Sequence, residues 1–249
     1  MKTIRTLFLV LSSIIILSCN NDDDTPQDFF PSKIVLTDYT NSISNKTVEI
    51  NYNNDNTISQ IVIEDNNGIK TKQYFYTNGK ITSVTNTGFL GGPATRTFVY
   101  NNTGDLSSII DETSGSTETF PISYNSTTNT YTVVDGGDTY SVILDNGNNP
   151  NQYSSSSFPN LTLTLDSTKN GIFKNVRPQI ALQFDLALFN NGHLFYFFNQ
   201  KQINHFEFGI QDFDVINTRD SSDNISSVIY NFTGGGSQID ITYQKRNLN

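Results

Sequence analysis

The chain has 249 residues, 35% of them hydrophobic, and a formal net charge of -9. That length and apolar content can build a packed core, so disorder is excluded as its general state. The acidic balance opposes a polyanion partner such as DNA or RNA, because nucleic-acid affinity comes largely from lysine and arginine neutralising phosphates.

Residues 1–18 have the pattern of a signal peptide: Lys2 and Arg5, an apolar run from Leu7 to Leu17, then Ser18 before Cys19. The run is short for a membrane span and has no basic stop on its far side. Cys19 is the one cysteine of the chain, and an odd cysteine in an exported protein needs a reason. Ile16-Leu17-Ser18-Cys19 resembles the lipobox of bacterial lipoproteins, which implies cleavage before Cys19, acylation of its thiol and attachment to a membrane through the lipid. Residues 19–31 read as a flexible acidic tether, too polar to bury much surface. Within it, Asp22-Asp23-Asp24 resembles acidic surface-export signals of Bacteroidota lipoproteins; a solvated charge run is the alternative.

Residues 32–249 read as one β domain, with hairpin repeats over 32–150 and a C-terminal β region over 151–249. Tyr52, Tyr76, Tyr100 and Tyr124 recur every 24 residues and open YNNDNTISQI, YTNGKITSV, YNNTGDLSSI and YNSTTNTYTV. Each unit is a β-type run, a polar turn and a second β-type run. Gly79, Gly104 and Asn56 stand where a tight reversal needs positive φ, and Asn53, Asn101 and Asn125 can bond nearby backbone. Val48-Ile50-Tyr52, Ile61-Ile63 and Phe98-Tyr100 alternate at period two, as strands with one buried face do.

Tyr100-Asn101-Asn102-Thr103-Gly104-Asp105-Leu106 resembles the YD repeat of Rhs-type proteins, with Asn101 in place of the aspartate and Asp105 in place of the arginine. The Tyr76 unit is one residue shorter and the Tyr124 unit one longer, and the likeness covers roughly residues 46–134. With the leader, the chain resembles YD-repeat-like lipoproteins of unknown function from the Bacteroidota. The resemblance implies architecture rather than activity, and four units are too few to enclose a toxin as large Rhs shells do.

Beyond Tyr140 the period fades. Leu161-Leu163-Leu165 alternates, as do Ile180-Leu182-Phe184-Leu186-Leu188 and Leu194-Tyr196-Phe198 on either side of Asn190-Asn191-Gly192, which predicts a long apolar hairpin. A helix within 175–189 is the alternative, since leucine and alanine are good helix formers. Ile225-Ser226-Ser227-Val228 repeats the tail of the Tyr100 unit, and the segment after Gly234-Gly235-Gly236 supplies a return strand. The fold class predicted is therefore all-β: an antiparallel hairpin-repeat meander forming a curved sheet, an open barrel or a sandwich, with room for one short helix in the second half.

No catalytic constellation stands out, so no enzyme activity, cofactor or metal is expected. His193 and His205, the two histidines, would need a carboxylate such as Glu207 to hold a metal; structural histidines are commoner. Asp135-Gly136-Gly137-Asp138 and Asp145-Asn146-Gly147-Asn148-Asn149 carry calcium-type oxygens without the spacing of a calcium loop, and turns explain both. Phe195-Tyr196-Phe197-Phe198 is the densest aromatic cluster, and with no tryptophan in the chain it reads as core rather than as a sugar platform. The function expected is non-catalytic binding or scaffolding by a monomeric lipid-anchored protein of the outer membrane, on its surface or periplasmic face, with a protein or glycan partner. A carrier or chaperone for an apolar ligand and a hydrolase of envelope or extracellular polymers are the alternatives.

Overall fold

A computed structural model describes residues 26–88, 94–157, 159–188, 193–232 and 235–248. The leader, Cys19 and most of the tether lie outside these, as do the turn at Asn190-Asn191-Gly192 and Gly234. In chain order the strands are β1 (Gln27–Asp38), β2 (Lys46–Tyr52), β3 (Ile58–Asp65), β4 (Gly68–Thr77), β5 (Lys80–Thr87), β6 (Thr95–Tyr100), β7 (Leu106–Glu112) and β8 (Thr117–Asn125). They continue as β9 (Thr130–Asp135), β10 (Asp138–Leu144), β11 (Pro150–Ser155), β12 (Leu161–Asn170), β13 (Lys201–Phe208), β14 (Gln211–Arg219), β15 (Ile225–Phe232) and β16 (Gly235–Asn247). Each pairs antiparallel with its neighbours in sequence, and β1 pairs with β16 from Gln27↔Asn247 to Asp38↔Ser237, so the meander closes into a sixteen-stranded barrel. Closure leaves no strand edge for another chain to pair with.

β1 starts at Gln27, so residues 27–31, expected in the tether, belong to the barrel. Phe30 explains why: its side chain is fully buried and meets the Tyr52 ring edge-on at 5.5 Å. Alternation fixes which face is inside. Val48 and Ile50 are buried while Glu49 between them is exposed, and Ile61 and Ile63 flank the outward Val62.

In an up-and-down meander every second connection falls at the same end, so all the tyrosine units turn at one end of the barrel, the tip end. Four tips share one design. The N–H of Asn53, Asn101, Asp145 and Asp220 bonds the carbonyl four residues on, at 2.8 to 2.9 Å. Residues Asn56, Gly104, Asn148 and Asp223 supply the positive φ, between 60° and 88°, and the register of the flanking strands shifts beside each tip. In three of them the leading side chain also accepts two backbone N–H bonds: Asn101 from Thr103 and Asp105, Asp145 from Gly147 and Asn149, Asp220 from Ser222 and Asn224. The shorter Tyr76 unit reverses in two residues, Asn78 and Gly79, both at positive φ.

The repeating tyrosines lock neighbouring hairpins together. Tyr52, Tyr76, Tyr100 and Tyr243 donate from their hydroxyls to the carbonyls of Pro31, Ile58, Ile81 and Ile225, each on the strand before, at 2.7 to 3.0 Å. The recurrence thus serves architecture, tying each of these hairpins to the strand before it.

The hairpin predicted between Ile180 and Phe198 is not formed. The connection from β12 to β13 instead enters the barrel from the tip end as a plug, with a short helix α1 (Ile180–Gln183), a π-helical turn (Phe184–Leu188) and a 3-10 helix (His193–Phe197). The alternation that suggested strands is real, but Ala181, Gln183 and Asp185 between the apolar residues are buried as well. A segment enclosed on all sides has no polar face, so periodicity cannot separate helix from strand. Phe173 stacks on Phe198 at 4.0 Å, Tyr153 packs on Tyr196 at 5.0 Å and Phe197 stacks on Tyr230 at 5.7 Å, which places the aromatic cluster in the core.

One charged group anchors the plug. Asp185, with no exposed surface, accepts from Lys72 Nζ at 2.9 Å, Tyr74 Oη at 2.9 Å and Arg96 at 3.0 Å, and Arg96 also grips Asp111 through two bonds of 2.6 Å. Burial alone pushes the Asp185 carboxyl up, but Lys72 and Arg96, with the hydrogen bonds of Lys72 and Tyr74, outweigh it and hold the group below its ordinary range.

Candidate functional site

The tyrosine ladder breaks at one unit. Tyr124 donates to Asn129 Oδ1 in its own turn at 2.9 Å, not to the preceding strand, and its ring stacks on Tyr131 at 4.4 Å. The cause is the extra residue of this unit, whose turn ends in Asn129 at a φ of 49°. Asn129 is carried over the neighbouring tip, where its amide bonds the Asp145 carbonyl at 2.9 Å.

Beside that break the tip-end rim opens into a cavity of about 300 Å³. Lys80, Tyr100, Gly104, Asp105, Tyr124, Asn129, Tyr131, Leu144 and Asn148 line it from the barrel, and Arg177 to Ile180 with Gln183 from the plug. The plug is pinned at this point: Gln179 Nε2 donates to the Gly79 carbonyl at 3.0 Å, and Gln183 accepts from Tyr153 at 2.7 Å while donating to the Phe198 carbonyl at 3.1 Å. Lys80 bonds the Gly104 carbonyl and lies 4.9 Å from the centre of the Tyr100 ring. Arg177 is exposed and has no hydrogen-bond or ion-pair partner among the described residues. Burial first, then Asp105 and Tyr124, push the Tyr131 hydroxyl up to about 12, so it stays protonated and able to donate at neutral pH.

The residues singled out in the sequence fall elsewhere. His205 and Glu207 project outward from β13, where the imidazole meets Asp212 and, at 3.2 Å, Asp214 of β14. No group of three or more side chains able to hold a metal occurs among the described residues. Asp145 spends its carboxylate on the backbone of its own turn, and Gly136 and Gly137 form the two-residue reversal between β9 and β10 at φ 57° and 102°. The pocket itself carries one carboxylate, Asp105, so the facing acidic pair that a hydrolase of the expected kind requires is not assembled there. Among the described residues the plug occupies the interior that an apolar carrier would leave open, and two small cavities beside it hold about 20 and 10 Å³. The pocket went unread because its walls come from five separate connections. The one local signal was the extra residue in the turn of the Tyr124 unit.

The outer face is polar. Asn51, Gln60 and Gln73 form an amide ladder across β2, β3 and β4 at 3.1 and 3.3 Å, and Thr132 bonds Ser141 across β9 and β10 at 2.9 Å. Exposed apolar side chains such as Phe75, Val99, Val134 and Ile216 are spread over different strands. A barrel that crosses a membrane reverses this arrangement, with an apolar outer band about 25 Å tall and a polar interior. No helix among the described residues is long and apolar enough to cross one either.

Fold and site together define a closed sixteen-stranded antiparallel β-barrel, filled by its own β12–β13 connection and opening into a pocket at one rim. A crystal structure of a porin-like protein from Bacteroides uniformis has a similar fold: the TM-score is 0.52 at 14% identity, over 86% of this chain and 96% of that one. No family model and no curated protein matches the chain.

Proposed function

We propose that this is a lipid-anchored protein of the cell envelope whose barrel stands in water and serves a non-catalytic binding role through its tip-end rim. The observation that carries the proposal is the polarity of the barrel, Thr, Ser, Asn and Gln outside and Ile, Val, Phe and Tyr inside, which suits an aqueous setting and not a lipid one. Attachment then falls to Cys19. The seven residues 20–26 separate it from β1 and, even fully extended, reach about 25 Å. Because β1 starts at the tip end, such a tether holds the rim pocket close to the surface to which the lipid attaches. The resemblance to YD-repeat-like lipoproteins agrees with this reading, since their hairpin units also serve architecture. Metabolic labelling with a fatty acid tests the anchor: the wild-type chain should incorporate label, and Cys19→Ala should remain unlabelled, uncleaved precursor. Label persisting in the variant would refute it.

A further inference from the structure

The rim pocket combines three chemistries that one kind of ligand satisfies together. Tyr124 and Tyr131, stacked as one wall, offer aromatic surface, with Tyr100 beside them, and the Tyr100 and Tyr124 hydroxyl oxygens, whose protons are already donated, can still accept. Asn129, Asn148, Gln179 and Asp105 offer amide and carboxylate groups that bond hydroxyls. Lys80 and Arg177 place two cations against the single carboxylate of Asp105, a locally positive spot on a chain of net charge -9. Arg177 is the unspent member: its guanidinium lies over Gly79, 3.0 Å from where a Cβ would stand, and no described residue neutralises it. A planar guanidinium of this kind is suited to a carboxylate, which it can hold through two parallel bonds. The volume, about 300 Å³, is at the lower limit of small-molecule sites.

We propose that the rim pocket binds an acidic saccharide, a hexuronate unit whose ring lies against the Tyr124–Tyr131 wall, whose hydroxyls meet Asp105 and the amides, and whose carboxylate is held by Arg177 with Lys80. The proposal rests on the reading of the rim as the binding face, and names the ligand class for it.

Calorimetric titration of the full chain in mild detergent tests it, with digalacturonate as the probe and the neutral galactose disaccharide as its control. Digalacturonate should bind at least about tenfold more tightly than the neutral disaccharide, the usual worth of a charge-assisted contact. Arg177→Gln should remove that preference without lowering the melting temperature, because the side chain is exposed and bonds no described residue. Lys33→Gln, an exposed charge on β1, should leave binding unchanged. Equal affinity for the charged and neutral sugars, or full binding by Arg177→Gln, overturns the proposal. So does an absence of binding to digalacturonate at millimolar concentration, a result separable from failure of the envelope reading, which the fatty-acid labelling of Cys19 decides.

Discussion

Gly104 holds a φ of 88° at the tip of its hairpin, in the left-handed region that β-branched side chains avoid. Gly104→Val should therefore cost about 1 to 3 kcal/mol, and Gly104→Asn much less, because Asn56 and Asn148 occupy the same place in sister tips at 63° and 62°. Asp105→Ala should cost less than Gly104→Val, since its carboxylate receives the Thr103 hydroxyl at the tip and meets the Tyr131 hydroxyl but takes no backbone N–H of the turn. Denaturant midpoints of the three variants check the ranking. These tips were legible in the sequence because their chemistry is local: the residue that bends the chain and the residue that bonds it lie within four positions. The ladder tyrosines give a second expectation. Burial raises Tyr52, Tyr76, Tyr100 and Tyr243 above the ordinary 10.0. A group raised on folding contributes stability that is complete below its unfolded value and is lost as pH rises through the folded one. Stability should thus hold to about pH 10 and decline above it, with exposed tyrosines such as Tyr39 ionising in the folded barrel and the ladder tyrosines only as it unfolds. Tyrosinate that forms fully while the near-ultraviolet circular dichroism stays native would contradict the burial.

The plug is the element on which the interior depends, and Asp185 is its electrostatic attachment. Replacing it by asparagine leaves Lys72 and Arg96 buried beside a neutral group, and breaking a buried pair from one side typically costs about 3 to 5 kcal/mol. Its carboxyl is held below the ordinary 3.8. The sign of the linkage follows: the stabilisation is present above pH 3.8 and lost as pH falls through the folded value. Chemical denaturation across acid pH should show the wild-type protein weakening below about pH 4, and Asp185→Asn should be weaker throughout neutral pH yet lose less on acidification. Equal acid slopes for the two proteins would remove Asp185 from this role. Nothing local announced the attachment, since Asp185 stands 113 and 89 positions from Lys72 and Arg96. The hairpin expected around Ile180 and Phe198 failed for a related reason: pattern reading assumes one wet face, and among the described residues from Ala181 to Leu186 there is none.

At the scale of the whole molecule, repeat period and strand polarity foretold a β meander with one buried face, while closure depended on a pairing of β1 with β16 across the full length of the chain. The two ends meet because the C-terminal unit rejoins the repeat: Tyr243 bonds Ile225 as Tyr76 bonds Ile58, so the ladder continues from the last hairpin to the first. Sixteen strands can enclose an aqueous channel in a membrane barrel. Here the interior holds the plug and the outside carries the polar groups, which supports the proposal that the barrel stands in water and is attached through a tether at Cys19. Flotation with phospholipid vesicles of a chain beginning at Pro26, prepared without detergent, tests this most directly. The account predicts that the protein stays in the vesicle-free fraction; a barrel that floats with the vesicles and resists extraction by salt would contradict it.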